Sequence, residues 1–302
     1  MTSSDKDVLI NQGLTNEMYR MYYSWQDCGT NANLITIMEG MQDPRLPLYM
    51  TMNHGDIKCE DGSTIAAGTR YLGIRPGHDI VSKPNEYVNY SYIVLDYTTP
   101  LPVMFAAESY FLRAEGALRG WNMGGAAKDF YEEGIRTSIK HQLAYKGSFA
   151  GISSISDADI EAYVNNTATQ EDLVDPVNSK FNYKAMNNVG TKWNESGSNE
   201  EKLQQIIIQK WIANFPLSTE AWAEYRRTGY PKLFPNRVNL SNGDINTNEQ
   251  VRRLIYSDTE INTNNAELQK GIELLNQENT GSISGDKGGT HVWWDKAGVG
   301  NF

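Results

Sequence analysis

Apolar positions fall at three- and four-residue intervals through two neighbouring stretches of the chain. In PVMFAAESYFLRAEGALRGW they are Met104, Phe105, Ala107, Phe111, Leu112, Ala114 and Leu118. In AAKDFYEEGIRTSIKHQL they are Ala127, Phe130, Tyr131, Ile135, Ile139 and Leu143. Gly120 stands where a C-terminal glycine closes a helix, and NMGG supplies a turn. Small residues at 106, 107, 114, 117, 126 and 127 allow close approach. This predicts an antiparallel helix pair of roughly 34–40 residues, the size of a tetratricopeptide unit. One such unit cannot bury both faces and needs stacked neighbours.

Other elements follow from the same pattern. LTNEMYRMYYSW predicts a helix capped by Thr15, with Leu14, Met18, Met21, Tyr22 and Trp25 on one side. NANLITIMEGM predicts a second short helix. EYVNYSYIVLDYTTP alternates like an extended strip ended by Pro100. Ser156 with Asp159, and Ser198 with Glu201, have capping-box spacing. The latter opens EEKLQQIIIQKWIANF, apolar on most of its circumference and hence expected to be deeply buried. Ser218 or Thr219 is expected to cap TEAWAEYRRTGYP, which Gly229 and Pro231 terminate. NNAELQKGIELLNQ is a last amphipathic helix. Residues 165–198 are polar and Asn-rich, a long excursion. The prediction is a mostly α fold in a single domain over 1–302. Its loop-rich part is 1–101 and its helical scaffold 102–302.

Composition narrows the function classes. The net charge is −10 over 302 residues, which argues against nucleic-acid backbone binding. The 17 Tyr and 7 Trp suit sugar stacking and protein interfaces as well as core. No P-loop, dinucleotide glycine motif, HExxH or nucleophile elbow occurs. Four histidines (His54, His78, His141, His291) and two cysteines (Cys28, Cys59) have no metal spacing, and a Cys28–Cys59 disulfide stays open. NGDINTNE at 242–249 has the oxygen-rich alternation of a calcium loop without its full spacing. Neither a cofactor nor a metal is expected. A carboxylate pair for glycoside hydrolysis is not singled out by spacing. Arg226 and Arg227 fit either an anion clamp or a helix C-terminus paired with neighbouring acids. No apolar run reaches the roughly 18 residues of a membrane span, and MTSSDKDVLINQG has no apolar signal core.

Four ordered stretches carry a specific resemblance. QKWIANFPLSTEAWAEYRRTGYPKL closely resembles the C-terminal signature of the SusD/RagB family of outer-membrane nutrient-binding lipoproteins of Bacteroidetes. MEGMQDPRLPLYM with YLGIRPG resembles the segment before the last family repeat. FAAESYFLRAEGALRGW with AAKDFYEEGIRTSI is similar to that repeat's helix pair. RRLIYSDTEINTNNAELQKGIELL with GGTHVWWDK resembles the closing segment. The resemblance implies tetratricopeptide-like helix pairs with loop-rich excursions and no enzymatic activity. It implies binding of oligosaccharides or peptides for a SusC-like TonB-dependent transporter. It also implies a surface position on the outer membrane, with a lipid anchor upstream of this chain, because Cys28 lies in no lipobox. Family members are usually much longer, so the chain reads as a C-terminal portion.

The family supplies no residue-level ligand motif, so candidates rest on physics. Sugar rings stack on exposed aromatics while guanidinium groups and amides bond hydroxyls. Aromatics on loops ahead of the helix pair are preferred to those in helices. The candidates are Trp25, Tyr23, Tyr71 and Arg75, followed by Trp121. Trp211, Trp222, Trp293 and Trp294 are expected in the core, and the 289–302 tail is expected to dock on the body. Two other readings are a helical-repeat scaffold for a protein partner and an all-α glycoside hydrolase.

Overall fold

The computed structural model describes residues 6–11, 16–26, 28–77 and 86–302. Leu14, Thr15 and His78 lie outside the described residues. Among the described residues helices dominate. They are α1 (Glu17–Tyr19), α2 (Ala32–Gly40), α3 (Leu46–Tyr49), α4 (Ala106–Leu118), α5 (Ala127–Ala150), α6 (Asp157–Val164), α7 (Asn199–Ala213), α8 (Ser218–Thr228), α9 (Asp258–Thr263) and α10 (Asn265–Glu278). Two small antiparallel ladders complete the set. One pairs β1 (Val8–Ile10) with β4 (Leu101–Met104), the other β2 (Ile57–Lys58) with β3 (Thr64–Ile65).

The predicted pair is α4 and α5, which pack along each other. Ala107, Phe111 and Ala114 of α4 meet Tyr131, Ile135 and Ile139 of α5 in one buried cluster. A Cβ on Gly134 would lie 2.9 Å from the Phe111 ring, so only glycine allows this approach. α4 has no side-chain cap of its own. Asp7, just ahead of β1, accepts from the Ala106 N–H at 2.8 Å and supplies it from 99 residues away.

α7 covers one side of the pair. Its predicted capping box forms, with Ser198 and Glu201 bonded reciprocally. The helix is buried around most of its surface, but not by apolar residues alone. Gln204, Gln205, Gln209 and Lys210 are also buried. Each finds a partner, as buried polar groups must. Arg45, fully buried, joins the segment after α2 to this assembly. It bonds Asp43 at 2.9 and 2.6 Å, Ser138 of α5 at 2.9 Å and Gln209 of α7 at 2.8 Å.

Three expectations change in detail. Residues 86–100 begin as a 3-10 turn, Glu86–Asn89, before running extended with one bridge, Ile93 to Met50. Tyr87, Tyr90 and Tyr92 turn inward while Tyr97 stays exposed, and Tyr87 and Tyr90 pack together instead of alternating. α8 is capped at Leu217, not Ser218 or Thr219, because the Leu217 N–H bonds Asn214 O at 2.6 Å and starts the helix one residue early. Residues 258–263, not predicted as helix, form α9 under a Ser257 cap.

The tail docks as predicted. Arg252 binds Asp295, and Arg119 bonds Asn301 O at 2.9 Å with its guanidinium 4.9 Å from the Phe302 ring. Yet Trp293 and Trp294 are exposed at 66% and 36%, which corrects their expected core position. Asp295 is the buried residue of that turn and faces them outward. Trp211 is half-buried against the main cluster.

Candidate functional site

The helix at Glu17 opens on Asn16, whose side chain accepts from Tyr19 N, and then widens into a π-helical stretch, Arg20–Trp25. Tyr19, Tyr22 and Tyr23 stand three and four residues apart and so share a face. That face builds an aromatic strip. Tyr19 stacks on Tyr23 at 4.6 Å and meets Tyr97 at 4.1 Å. Tyr23 and Tyr22 place edges against Tyr92 at 5.4 and 6.1 Å. Tyr92 lies parallel to His54 at 4.8 Å. The Tyr23 hydroxyl donates to Ile93 O at 2.7 Å, locking its ring. Burial, reinforced by Tyr19 and Tyr92, pushes the Tyr23 phenol up to about 12, so it stays a neutral donor. At the end of this run Trp25 is 54% exposed, and Tyr97 opens to solvent at the other side of Tyr19.

The structure therefore unites two of the four sequence candidates, Tyr23 and Trp25, within one turn. Sequence reasoning missed Tyr19, Tyr92, Tyr97 and His54 as their companions. The i, i+3, i+4 tyrosines of MYRMYYSW were the available signal for Tyr19. Tyr92, Tyr97 and His54 arrive by tertiary folding alone.

Tyr71 lines a different cleft of about 140 Å³ with Arg70, Glu39 and Glu171. Gly40, next to Glu39, admits the excursion, since a Cβ there would meet Glu171 N and Thr169 O at 2.4 Å. The excursion thus runs in direct contact with the end of α2 and brings Glu171 to Glu39. The two carboxyls are electrostatically coupled. Burial and the Glu39 charge raise Glu171 to about 7, so the pair shares a proton.

Arg75 is corrected. It is 6% exposed, and its Nε and Nη2 donate to Pro235 O at 3.0 and 2.9 Å. Its guanidinium lies 4.4 Å from the Tyr183 ring. It clamps the YLGIRPG segment to residues 181–235 and has no free edge for a ligand. Trp121 is exposed at 64% in the α4–α5 turn, away from the tyrosine strip in sequence and packed beside Gly116. Among the described residues no group of three or more His, Cys, Asp or Glu is placed to hold a metal, residues 242–249 included. Among the described residues no helix is long and apolar enough to cross a membrane.

The chain belongs to the SusD-like family, described as Susd and RagB outer membrane lipoprotein, which matches residues 1–295. Among solved structures it is similar to a SusD homolog from Bacteroides thetaiotaomicron, with 36% identity over 98% of this chain and a TM-score of 0.83. A chitin-binding SusD homolog from Flavobacterium johnsoniae matches with 37% identity over 97% of the chain and a TM-score of 0.79. A SusD homolog from Bacteroides ovatus matches with 35% identity over 98% and a TM-score of 0.81. The chain spans 57%, 54% and 57% of the lengths of these three relatives. No curated protein matches.

Proposed function

We propose that this chain is the ligand-carrying part of a non-enzymatic, glycan-binding surface protein. The observation that carries the reading is the exposed Trp25 at the end of the locked tyrosine strip. Trp25 and Tyr97 offer open ring faces, Tyr97 packed on Tyr19, while Tyr92 is buried; open aromatic faces suit pyranose rings, and rings already held in place cost little ordering entropy on binding. Glu39 and Glu171, the acids lining the Tyr71 cleft, are coupled to each other. The chitin-binding name of the Flavobacterium relative supports an oligosaccharide as ligand.

In the same reading the bound glycan is handed to a SusC-like TonB-dependent transporter, and the protein sits on the outer membrane by a lipid anchor, as the family description suggests. The test is a calorimetric titration with chitin, cellulose, xylan and starch oligosaccharides, with product analysis of each mixture. Saturable binding without cleavage supports the reading. Cleavage overturns it, and binding of peptides alone replaces the glycan with a peptide.

A further inference from the structure

The double arginine of residues 226–227 divides into two roles. Arg227 is committed to Glu115 and Glu224. Among the described residues Arg226 forms no ion pair with a carboxylate. Its guanidinium lies 3.6 Å from the Trp222 ring and 4.7 Å from the Trp294 ring. Its Nη1 donates to Arg252 O at 2.9 Å. Its Nε is buried and has no hydrogen-bond partner. An orphaned donor on a charged group is a rare and costly feature. Burial lowers the guanidinium from its ordinary value; nearby Asp295 opposes this and Arg252 adds to it.

Arg226 lines a cleft of about 370 Å³ between the end of α8, residues 248–252 and the tail. That volume lies in the range of small-ligand pockets. Lys232 and Lys296 line it too, both exposed, and neither forms an ion pair among the described residues. The amides of Asn248 and Asn301 complete the polar rim. Of the cleft's acids, Asp295 is held by Arg252 and His291, and Glu200 accepts from Tyr230 and Asn301. Three cations without an ion pair among the described residues, Arg226, Lys232 and Lys296, thus share the cleft with the carboxylates of Glu200 and Glu249 in a chain whose net charge is −10. A dianion would face Glu200 and Glu249, so a single negative charge fits best. With Nη1 given to Arg252 O, the guanidinium supplies its positive charge and its second terminal nitrogen to one carboxylate oxygen.

We infer that this tail cleft binds a small ligand bearing one carboxylate, such as the uronic-acid unit of an acidic glycan, through Arg226, Lys232 and Lys296. It is built by elements other than those of the tyrosine strip and stands whether or not the strip binds glycan.

The experiment is calorimetric titration of the chain with glucuronate, glucose and sulfate. Glucuronate is expected to bind at least tenfold more tightly than glucose and sulfate, and more weakly as salt rises. Lys232→Gln with Lys296→Gln is expected to weaken glucuronate about tenfold, the loss of one charge-assisted bond. Those lysines are exposed, so the double variant folds even if Arg226→Gln does not. Absence of glucuronate binding, equal binding of glucose, or an unaffected double lysine variant overturns the site. Sulfate binding as tightly as glucuronate overturns its assignment to carboxylates.

Discussion

Arg227 holds Glu115 with both terminal nitrogens, at 2.6 and 2.7 Å, joining the last turn of α8 to α4. The same arginine reaches Glu224, and Glu115 also takes Arg119 at 2.9 Å. Lys210 of α7 continues the ladder, 3.1 Å from Glu108 and 2.7 Å from Glu224. Three helices are therefore tied by one chain of charges, with Glu115 drawn below the usual carboxylate range by its arginines in spite of burial. Arg227→Ala leaves Glu115 and Glu224 short of a partner, and is expected to lower stability by about 2 kcal/mol in urea denaturation. Lys270→Ala, which breaks the exposed Lys270–Glu267 pair, should cost under about 0.5 kcal/mol. Equal effects from the two would remove the ladder as a weld.

Lys146 makes the opposite case. It is fully buried, donates to Val94 O at 3.0 Å and is ringed by Tyr49, Tyr145 and Phe215 with no carboxylate beside it. Burial lowers its amine to about 7. An unfolded lysine titrates near 10.4, so between these values the unfolded chain binds the extra proton. Stability from this group is present above about pH 10, declines as pH falls toward 7, and is flat below. Lys146→Met keeps the volume and removes that dependence. The variant is expected to be more stable than the parent at pH 7, with the gap closing at about 1.4 kcal/mol per pH unit as pH approaches 10. A gap that does not change with pH would show that Lys146 is charged in the fold.

Gly40→Ala tests the seam between α2 and the excursion. Its Cβ has only backbone to displace, at 2.4 Å from Glu171 N and Thr169 O. A loss of roughly 1–3 kcal/mol is expected, the cost of overpacking, together with separation of the Glu39–Glu171 pair. Stability can be read by thermal melting. The pair can be read by the carboxyl titration of Glu171, which should fall from about 7 toward the ordinary glutamate range. An unchanged Glu171 titration would mean that the pair does not depend on this contact.

The local rules read well where helix chemistry is local. Ser156 and Ser198 cap as their spacing predicts, and Gly120 and Gly229 take the positive φ that ends a helix. Apolar periodicity located α4, α5, α7 and α10. What it does not contain is partnership across the chain. Asp7 capping α4, Pro235 occupying Arg75 and Tyr92 joining Tyr23 are contacts over tens to hundreds of residues. Arg75 was a reasonable ligand candidate until Pro235 O took its guanidinium edge. The Trp293–Trp294 pair was misjudged because aromatics in a docked tail need not face inward when Asp295 anchors that turn. The helical stretch that carries Tyr23 and Trp25 was legible from the spacing in MYRMYYSW.

The central claim rests on Trp25, and its most direct measurement is oligosaccharide titration of the parent chain and of Trp25→Ala side by side. With half its surface open, Trp25 contributes little to folding, so the variant should melt within about a degree or two of the parent. Binding should weaken about tenfold, the scale of one lost aromatic contact, with no cleavage products from either protein. Unchanged affinity in Trp25→Ala, or turnover of the oligosaccharide, would contradict the account.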